Sequence, residues 1–288
     1  MSCIEVNGHT RLAGFFASPA KHSLSPILHT TSFEELGINA VYLAFDIKPD
    51  QLDAAINSIR TLNMMGVNLS MPHKVNALPL MDELSTEATL IGAINTIVHK
   101  GGKLIGHNTD GFGFMESLHV NQIPIKNQTM TILGAGGAAT AIVVQAALDG
   151  FSDIHIFSRL GNRFDEMKEK ILELSNIVDC KITLTDLFDS QTLKEAITRS
   201  HILVNSTSVG MINDESLIED ESLLRKAMVV YDVIYNPRKT KLLRQAEQKG
   251  CQTINGLDML LYQGAKAFNL WTNQDMPIEK VKHIIEKA

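Results

Sequence analysis

Thr129-Met-Thr-Ile-Leu-Gly134-Ala-Gly136-Gly137-Ala138-Ala139 is the stretch that decides the fold. An apolar run, Met130 to Leu133, meets a glycine cluster, and a helical segment of small residues follows from Ala138 to Leu148. Strand, glycine turn and helix in that order are what a dinucleotide-binding βαβ unit requires. Gly134 permits the tight turn, and Gly136 lets the backbone approach a pyrophosphate. Ala139 stands where the fingerprint has its third Gly or Ala, for close helix–strand packing. The helix N-terminus then offers free N–H groups and the positive end of a dipole to phosphates.

Downstream of this unit the pattern continues. Strands are expected at 153–157, 181–185, 201–205, 228–233 and 251–254, with helices at 137–148, 163–174, 191–199 and 240–249. That alternation predicts a doubly wound parallel sheet of Rossmann type. Upstream, residues 1–120 form a separate α/β part. Strands are expected near 12–16, 41–47 and 67–69. Ser25, Pro26 and Gly37 punctuate a helix over 26–36 as N-cap, N1 and C′ residues. Leu52, Ala55, Ile56 and Ile59 give the next segment a helical period. Lys100-Gly101-Gly102 between two apolar runs signals a hairpin. Residues 121–128, polar and Pro-containing, read as a linker. The expected organisation is 1–120, 121–255 and 256–288, the last being helices that return to the N-terminal part.

The composition excludes several function classes. The chain has 288 residues, 44% hydrophobic and 20% charged, enough for packed cores. A net charge of −6 argues against nucleic-acid or membrane-surface binding. No signal peptide and no apolar stretch of transmembrane length stands out, so a cytoplasmic protein is expected. Cys3, Cys180 and Cys251 are far apart and odd in number, as reduced thiols would be. The histidines show no ligand spacing, so no metal is expected.

Five segments of the N- and C-terminal parts look like site chemistry. In Ser23-Leu-Ser25-Pro26 the two hydroxyls face one side of an extended segment, which suits a carboxylate or a polyol; Ser25 as a plain helix cap is the simpler reading. Asn68-Leu-Ser70-Met-Pro72-His-Lys74 ends a strand and places Lys74 at the opening of a helix, with His73 read as a solvated loop residue. Gly92-Ala-Ile-Asn95-Thr96 and Gly106-His-Asn108-Thr109-Asp110-Gly111 put polar groups at strand ends between glycines, where Asp110 is also a candidate N-cap. Asn255-Gly256 to Gln263 sets a glutamine on an otherwise apolar helix.

Taken in order, SLSP, NxSxPxK, GAxNT, GxNTDG, GAGGA, YNP and GxxMLxxQ resemble the shikimate dehydrogenase family, from Leu12 to Trp271. The resemblance implies a two-domain α/β enzyme that moves a hydride between NADP(H) or NAD(H) and the carbinol carbon of a cyclic hydroxy acid, reducing 3-dehydroshikimate to shikimate on the route to chorismate and the aromatic amino acids. It implies Lys74 and Asp110 as the catalytic pair. Ser23, Ser25, Ser70, Asn95, Tyr235 and Gln263 match substrate contacts, and Asn68 is expected to support Lys74. Gly134, Ala135, Gly136, Gly137 and Ala138 match the pyrophosphate loop, and Val233 and Gly256 match positions near the nicotinamide. Ser206 to Met211 match a loop that lies along the cofactor. A homodimer is compatible with the family pattern.

Two departures qualify this. Ser70 stands where many shikimate-specific members carry Thr, which points toward the quinate/shikimate dehydrogenase branch, since the lost methyl leaves room for quinate's extra hydroxyl. After the strand at 153–157 the chain reads Ser158-Arg159-Leu-Gly161-Asn-Arg163, with no acidic residue to bind a ribose 2′-OH before Asp165. Arg159 and Arg163 instead match the basic pair that NADP users place around the 2′-phosphate. NADP is therefore the expected cofactor, with NAD as the alternative. A non-catalytic nucleotide-sensing regulator is the remote alternative; it would have no use for Lys74 and Asp110.

Overall fold

A computed structural model describes residues 5–287. Cys3 lies outside the described residues. The chain forms two compact units, one of residues up to Gly113 together with those from Leu261 onward, the other Phe114–Leu260. Residues 121–128 lie in the second unit.

The first unit contains, in chain order, β1 (Arg11–Ala17), α1 (Ser25–Glu35), β2 (Ala40–Asp46), α2 (Leu52–Thr61), β3 (Gly66–Leu69), α3 (His73–Asn76), β4 (Glu83–Leu84), α4 (Thr86–Ile91), β5 (Thr96–Lys100) and β6 (Lys103–His107). Helix α5 (Asp110–Val120) starts in this unit and runs into the second. The sheet order is β2-β1-β3-β5-β6-β4. Strands β1, β2 and β3 are parallel, whereas β5 is antiparallel to both β3 and β6. The expected glycine hairpin joins β5 to β6, with Gly101 and Gly102 at φ +60° and +80° and Lys100 paired with Lys103. Leu52, Ile56 and Ile59 form the buried stripe of α2, each burial contributing about 1.5–3 kcal/mol. The short elements β4, α3 and α4 were not visible as periodicity, because two to six residues are too few to display one.

The second unit holds β7 (Thr129–Leu133), α6 (Gly137–Leu148), β8 (Asp153–Ser158), α7 (Asn162–Leu174), β9 (Lys181–Asp186), α8 (Ser190–Arg199), β10 (Ile202–Asn205), β11 (Val229–Asp232), α9 (Lys241–Gln248) and β12 (Gln252–Asn255). All six strands are parallel, in the order β12-β11-β10-β7-β8-β9. This is the doubly wound order expected for a dinucleotide-binding sheet, with the reversal between β7 and β10. Central strands β7 and β10 are buried on both faces, which is why Met130 to Leu133, broken only by Thr131, and Ile202 to Val204 are apolar.

Helix α10 (Gly256–Thr272) begins in the second unit, and from Leu261 the chain belongs to the first again, ending in α11 (Ile278–Ile285). Trp271 Nε1 donates to the Ile97 carbonyl at 3.0 Å. Gly66 is required at that contact, since a Cβ there would lie 2.4 Å from the indole nitrogen and 2.0 Å from the same carbonyl. Among the described residues no helix is long and apolar enough to cross a membrane.

Candidate active site

Strand direction assembles the first site. β3 ends at Leu69, with Ser70 to Lys74 following. β6 ends at His107, with Asn108 to Asp110 following. Because β5 runs the other way, its first residue lies beside those ends, and the register pairs Thr96 with both Asn68 and His107. Three motifs far apart in sequence thus meet at the same end of three neighbouring strands.

There Lys74 Nζ donates to Asp110 Oδ2 at 2.6 Å. The other carboxylate oxygen of Asp110 accepts from Asn95 Nδ2 at 2.8 Å. The side chains of Lys74 and Asp110 are 29% and 14% exposed, so the pair is shielded from bulk water while the ammonium stays within reach of a ligand. Lys74 sits on the single turn of α3, and its carbonyl accepts from Ile94 N at 2.8 Å, which ties that turn to the Asn95 segment. Asn95 Oδ1 accepts from Thr109 N at 2.8 Å and from the Thr96 hydroxyl at 3.0 Å. Gln263, on α10, accepts from Asn95 Nδ2 at 3.3 Å and from the Thr109 hydroxyl at 3.4 Å. Lys74, Asp110, Asn95 and Gln263 are therefore one hydrogen-bonded cluster.

Several sequence-based expectations are corrected in detail. Asp110 is not a cap. It is the first residue of α5, and its own N–H donates to Asn108 Oδ1 at 3.1 Å. Ser25 is likewise inside α1, and it is the Ser23 hydroxyl that accepts from Ser25 N at 3.1 Å. His73 is fully buried, not solvated, with Nε2 2.7 Å from the Ile47 carbonyl. Asn68 supports Asn95 rather than Lys74: its amide nitrogen donates to Thr96 Oγ1 at 3.0 Å and to the Asn95 carbonyl at 3.3 Å.

The structure also adds residues. Thr96 and Thr109 lie inside the quoted motifs, where nothing in the sequence marks them for a role. Tyr42 gave no signal at all, since an aromatic on a strand looks like core. Its hydroxyl donates to Asn68 Oδ1 at 2.8 Å, and Ser25 is its other side-chain partner. Burial raises the Tyr42 pKa well above its usual value, so it stays a neutral donor. His29 stacks on Tyr42 at 4.5 Å between centroids, and burial drives its pKa down to about 3, with Asn68 opposing in part. His107 is held below its ordinary value by burial, with Glu87 opposing that and Lys266 adding to it.

The cofactor candidates lie in the second unit. Gly134 has φ +109°, and a Cβ there would come within 2.8 Å of Ser206 Oγ. At Gly136 and Gly137 an added Cβ would meet nothing within 4 Å, so the turn is open on its outer side. Helix α6 has no side-chain cap, which leaves the N–H groups around Ala135 to Ala138 for an outside acceptor. Ser158 is buried at the end of β8, whereas Arg159 is exposed. Arg163 is 68% exposed and lies 3.6 Å from Glu166 on the same helix face. Val233 and Gly256 are in close contact, since a Cβ on Gly256 would sit 1.9 Å from the Val233 carbonyl oxygen. Tyr235 is partly buried on the segment after β11.

Residues 15–97 match the model of the shikimate dehydrogenase substrate binding domain, and residues 256–286 that of the shikimate 5'-dehydrogenase C-terminal domain. A shikimate dehydrogenase (NADP(+)) of Listeria monocytogenes serotype 4b is 44% identical over 282 residues, covering 97% of each chain. The chain belongs to the shikimate dehydrogenase family. Another member, a shikimate dehydrogenase (NADP(+)) of Streptococcus pyogenes serotype M28, is 45% identical over 285 residues, covering 97% of this chain and 98% of that one. Among solved members, the crystal structure of shikimate 5-dehydrogenase from Listeria monocytogenes in complex with shikimate and NAD has a TM-score of 0.95 at 44% identity, covering 97% and 98% of the two chains. Shikimate dehydrogenase family membership thus spans both units, including the glycine turn that neither family model covers.

Proposed function

We propose that the chain is an NADP-dependent shikimate dehydrogenase, an oxidoreductase acting on a secondary alcohol, with Lys74 and Asp110 as its proton-transfer pair. The observation that carries this is the contact of Lys74 Nζ with Asp110 Oδ2 at 2.6 Å, with Asn95 on the opposite carboxylate oxygen at 2.8 Å. Oxidising an alcohol to a ketone removes a hydride from carbon and a proton from oxygen. The residues present fit a dinucleotide, given the open glycine turn and the uncapped start of α6. When bound, the nicotinamide supplies the hydride acceptor.

The rest falls to side chains of the first unit. Lys74 hydrogen-bonds the reacting oxygen and stabilises developing charge on it; on reduction its ammonium gives that oxygen a proton, on oxidation the neutral amine form takes the proton back, and Asp110 aims the lysine. Asn95 and Gln263, with the Ser23 and Ser25 hydroxyls, hold the ring and its carboxylate in one pose, which is where orientation gains arise. Gly134, Ala135, Gly136, Gly137 and Ala138 bind the pyrophosphate, Val233 and Gly256 flank the nicotinamide, and Tyr235 contacts the substrate. Ser158 and Arg159 receive the adenosine ribose. The relatives' names support NADP, and the solved member with NAD bound keeps NAD as a second substrate.

A second reading, quinate alongside shikimate, is favoured by Ser70, which is partly buried immediately after β3 and lacks the methyl of threonine. Initial-rate assays with shikimate and quinate, each with NADP and NAD, test both readings. Turnover of shikimate with NADP is expected to be highest, and absence of shikimate oxidation with either cofactor would refute the assignment. Light scattering on the purified chain decides whether a second copy is its partner.

A further inference from the structure

At the end of β11 the side chain of Asp232 is completely buried. Three donors converge on it. The Thr240 hydroxyl donates to Oδ2 at 2.6 Å, and Ile234 N and Asn205 Nδ2 each donate to Oδ1 at 3.1 Å. Burying a carboxylate is costly, and three hydrogen bonds only offset that cost. Val230, two residues earlier on the same strand, and Leu242 and Leu243, just after Thr240, belong to a buried apolar cluster. Burial raises its pKa while the three donors oppose that, and an ionisable group kept there calls for a role beyond packing.

Its donors belong to separate loops. Asn205, at the end of β10, is the centre of the loop that follows. Asn205 Oδ1 accepts from Thr207 N at 3.1 Å and from the Thr207 hydroxyl at 2.7 Å, and Nδ2 also donates to the Val209 carbonyl at 3.2 Å. Val209 N closes the loop by donating to Thr207 Oγ1 at 3.1 Å. On its other side this loop meets the glycine turn: the Ser206 hydroxyl donates to the Leu133 carbonyl at 2.7 Å, in the space that Gly134 leaves by having no Cβ. The second loop runs from Ile234 to Thr240, which caps α9 through Leu243 N at 3.4 Å while donating to Asp232. It is anchored at Val233, whose N–H donates to the Asn205 carbonyl at 3.0 Å and whose own carbonyl faces Gly256. Strands β7, β10 and β11 are neighbours in the sheet, so their three carboxyl-end loops are stitched in sequence, with one carboxylate as the last knot.

We infer that Asp232 is a positioning residue for the dinucleotide: through Asn205 and Thr240 it holds the 206–209 and 233–240 loops in register with the glycine turn, and so sets the seat of the cofactor's nicotinamide half. This rests on the cofactor reading given above. Asp232 touches no ligand itself and acts through the two loops. The half of the dinucleotide it serves is common to NADP and NAD, which separates its effect from that of any group reading the 2′-phosphate.

Two variants test it, with KM for NADP, NAD and shikimate, kcat, and thermal midpoint measured on each. Asp232→Asn can keep Oδ1 toward the two N–H donors and turn its amide nitrogen to donate to the Thr240 hydroxyl, so the carboxylate's charge and the bond the Thr240 hydroxyl donates are lost. Thr207→Ala removes one hydroxyl from a partly exposed loop and leaves the core intact. Both variants are expected to raise KM for NADP and NAD in parallel, about tenfold for Asp232→Asn and about threefold for Thr207→Ala. KM for shikimate should rise less than KM for the cofactors, because Tyr235 is the one residue matched to the substrate that lies on these loops, and the others belong to the first unit. A lowered thermal midpoint in Asp232→Asn with cofactor KM values unchanged would assign the carboxylate to packing alone and overturn the inference. Unchanged cofactor KM values in Thr207→Ala would overturn it as well, whether or not the Asp232 variant folds. Fluorescence titration of the wild-type chain with NADPH keeps the underlying reading separate: no binding there would sink the cofactor site itself, while wild-type binding with indifferent variants sinks only the role of Asp232.

Discussion

Asn95 and Thr109 hold each other at both ends of one amide. Thr109 N donates to Asn95 Oδ1 at 2.8 Å, and Asn95 Nδ2 returns a hydrogen bond to Thr109 Oγ1 at 2.9 Å. A backbone N–H cannot accept, so the oxygen of the amide must face Thr109 N. The amide nitrogen then has to point at Asp110. This fixes one carboxylate oxygen of Asp110 and leaves the other for Lys74.

Lys74→Ala should lower kcat about 10²–10⁴-fold, the usual range for a general acid–base group, while KM for NADP hardly changes. Steady-state kinetics on the variant read this directly. Near wild-type turnover would remove Lys74 from the chemistry.

Ser70→Thr should reduce kcat/KM for quinate more than for shikimate. The added methyl enters a partly buried position directly before the turn that carries Lys74, and overpacking of this kind costs about 1–3 kcal/mol. The comparison needs both substrates on both proteins. Equal losses on the two substrates would mean that Ser70 does not discriminate between them, and a wild type without quinate activity would place the chain with shikimate-specific members.

The two arginines should not behave alike. Arg163 is within 3.6 Å of Glu166, which already competes for its charge. Arg159→Ala is therefore expected to raise KM for NADP by about tenfold or more, the worth of a charge-assisted hydrogen bond, with KM for NAD unchanged. Arg163→Ala should have the smaller effect. If wild type prefers NAD and neither substitution alters KM for NADP, the absence of an acidic residue after β8 was a misleading cue.

His29 should make the protein acid-sensitive. Folded, its pKa is about 3 against 6.5 for a free imidazole. Between those values the unfolded chain binds the extra proton, so stability increases with pH. The contribution is complete above about pH 6.5 and is lost as pH falls toward 3, at up to about 1.4 kcal/mol per pH unit. His29→Phe keeps a ring against Tyr42 and removes the titration. Urea unfolding at pH 7 and pH 5 should show a clearly shallower pH dependence for the variant; identical dependences would exclude His29 as a source of it.

The Rossmann half was almost fully legible in the sequence. Strand, glycine turn and helix repeat over long periodic segments, and a helix such as 137–148 is delimited by local chemistry alone. The family motifs were legible for the same reason, being short and contiguous. What the sequence could not supply was direction and register. The Lys100-Gly101-Gly102 hairpin signal makes β5 antiparallel to β6, but nothing in Thr96-Ile-Val-His-Lys100 says that it also pairs antiparallel with β3, yet that pairing is what sets Asn95 beside Lys74 and Asp110. Nor could it tell the buried His73 from a loop histidine, or Tyr42 and Asp232 from ordinary strand residues, because their roles come from partners 26 residues away for Tyr42 and Asn68, and 27 for Asn205 and Asp232. Local propensity is a property of neighbours in the chain and survives in the sequence. A hydrogen bond between distant residues exists only once apolar burial has closed the intervening loops, so only the tertiary structure decided which polar groups face one another.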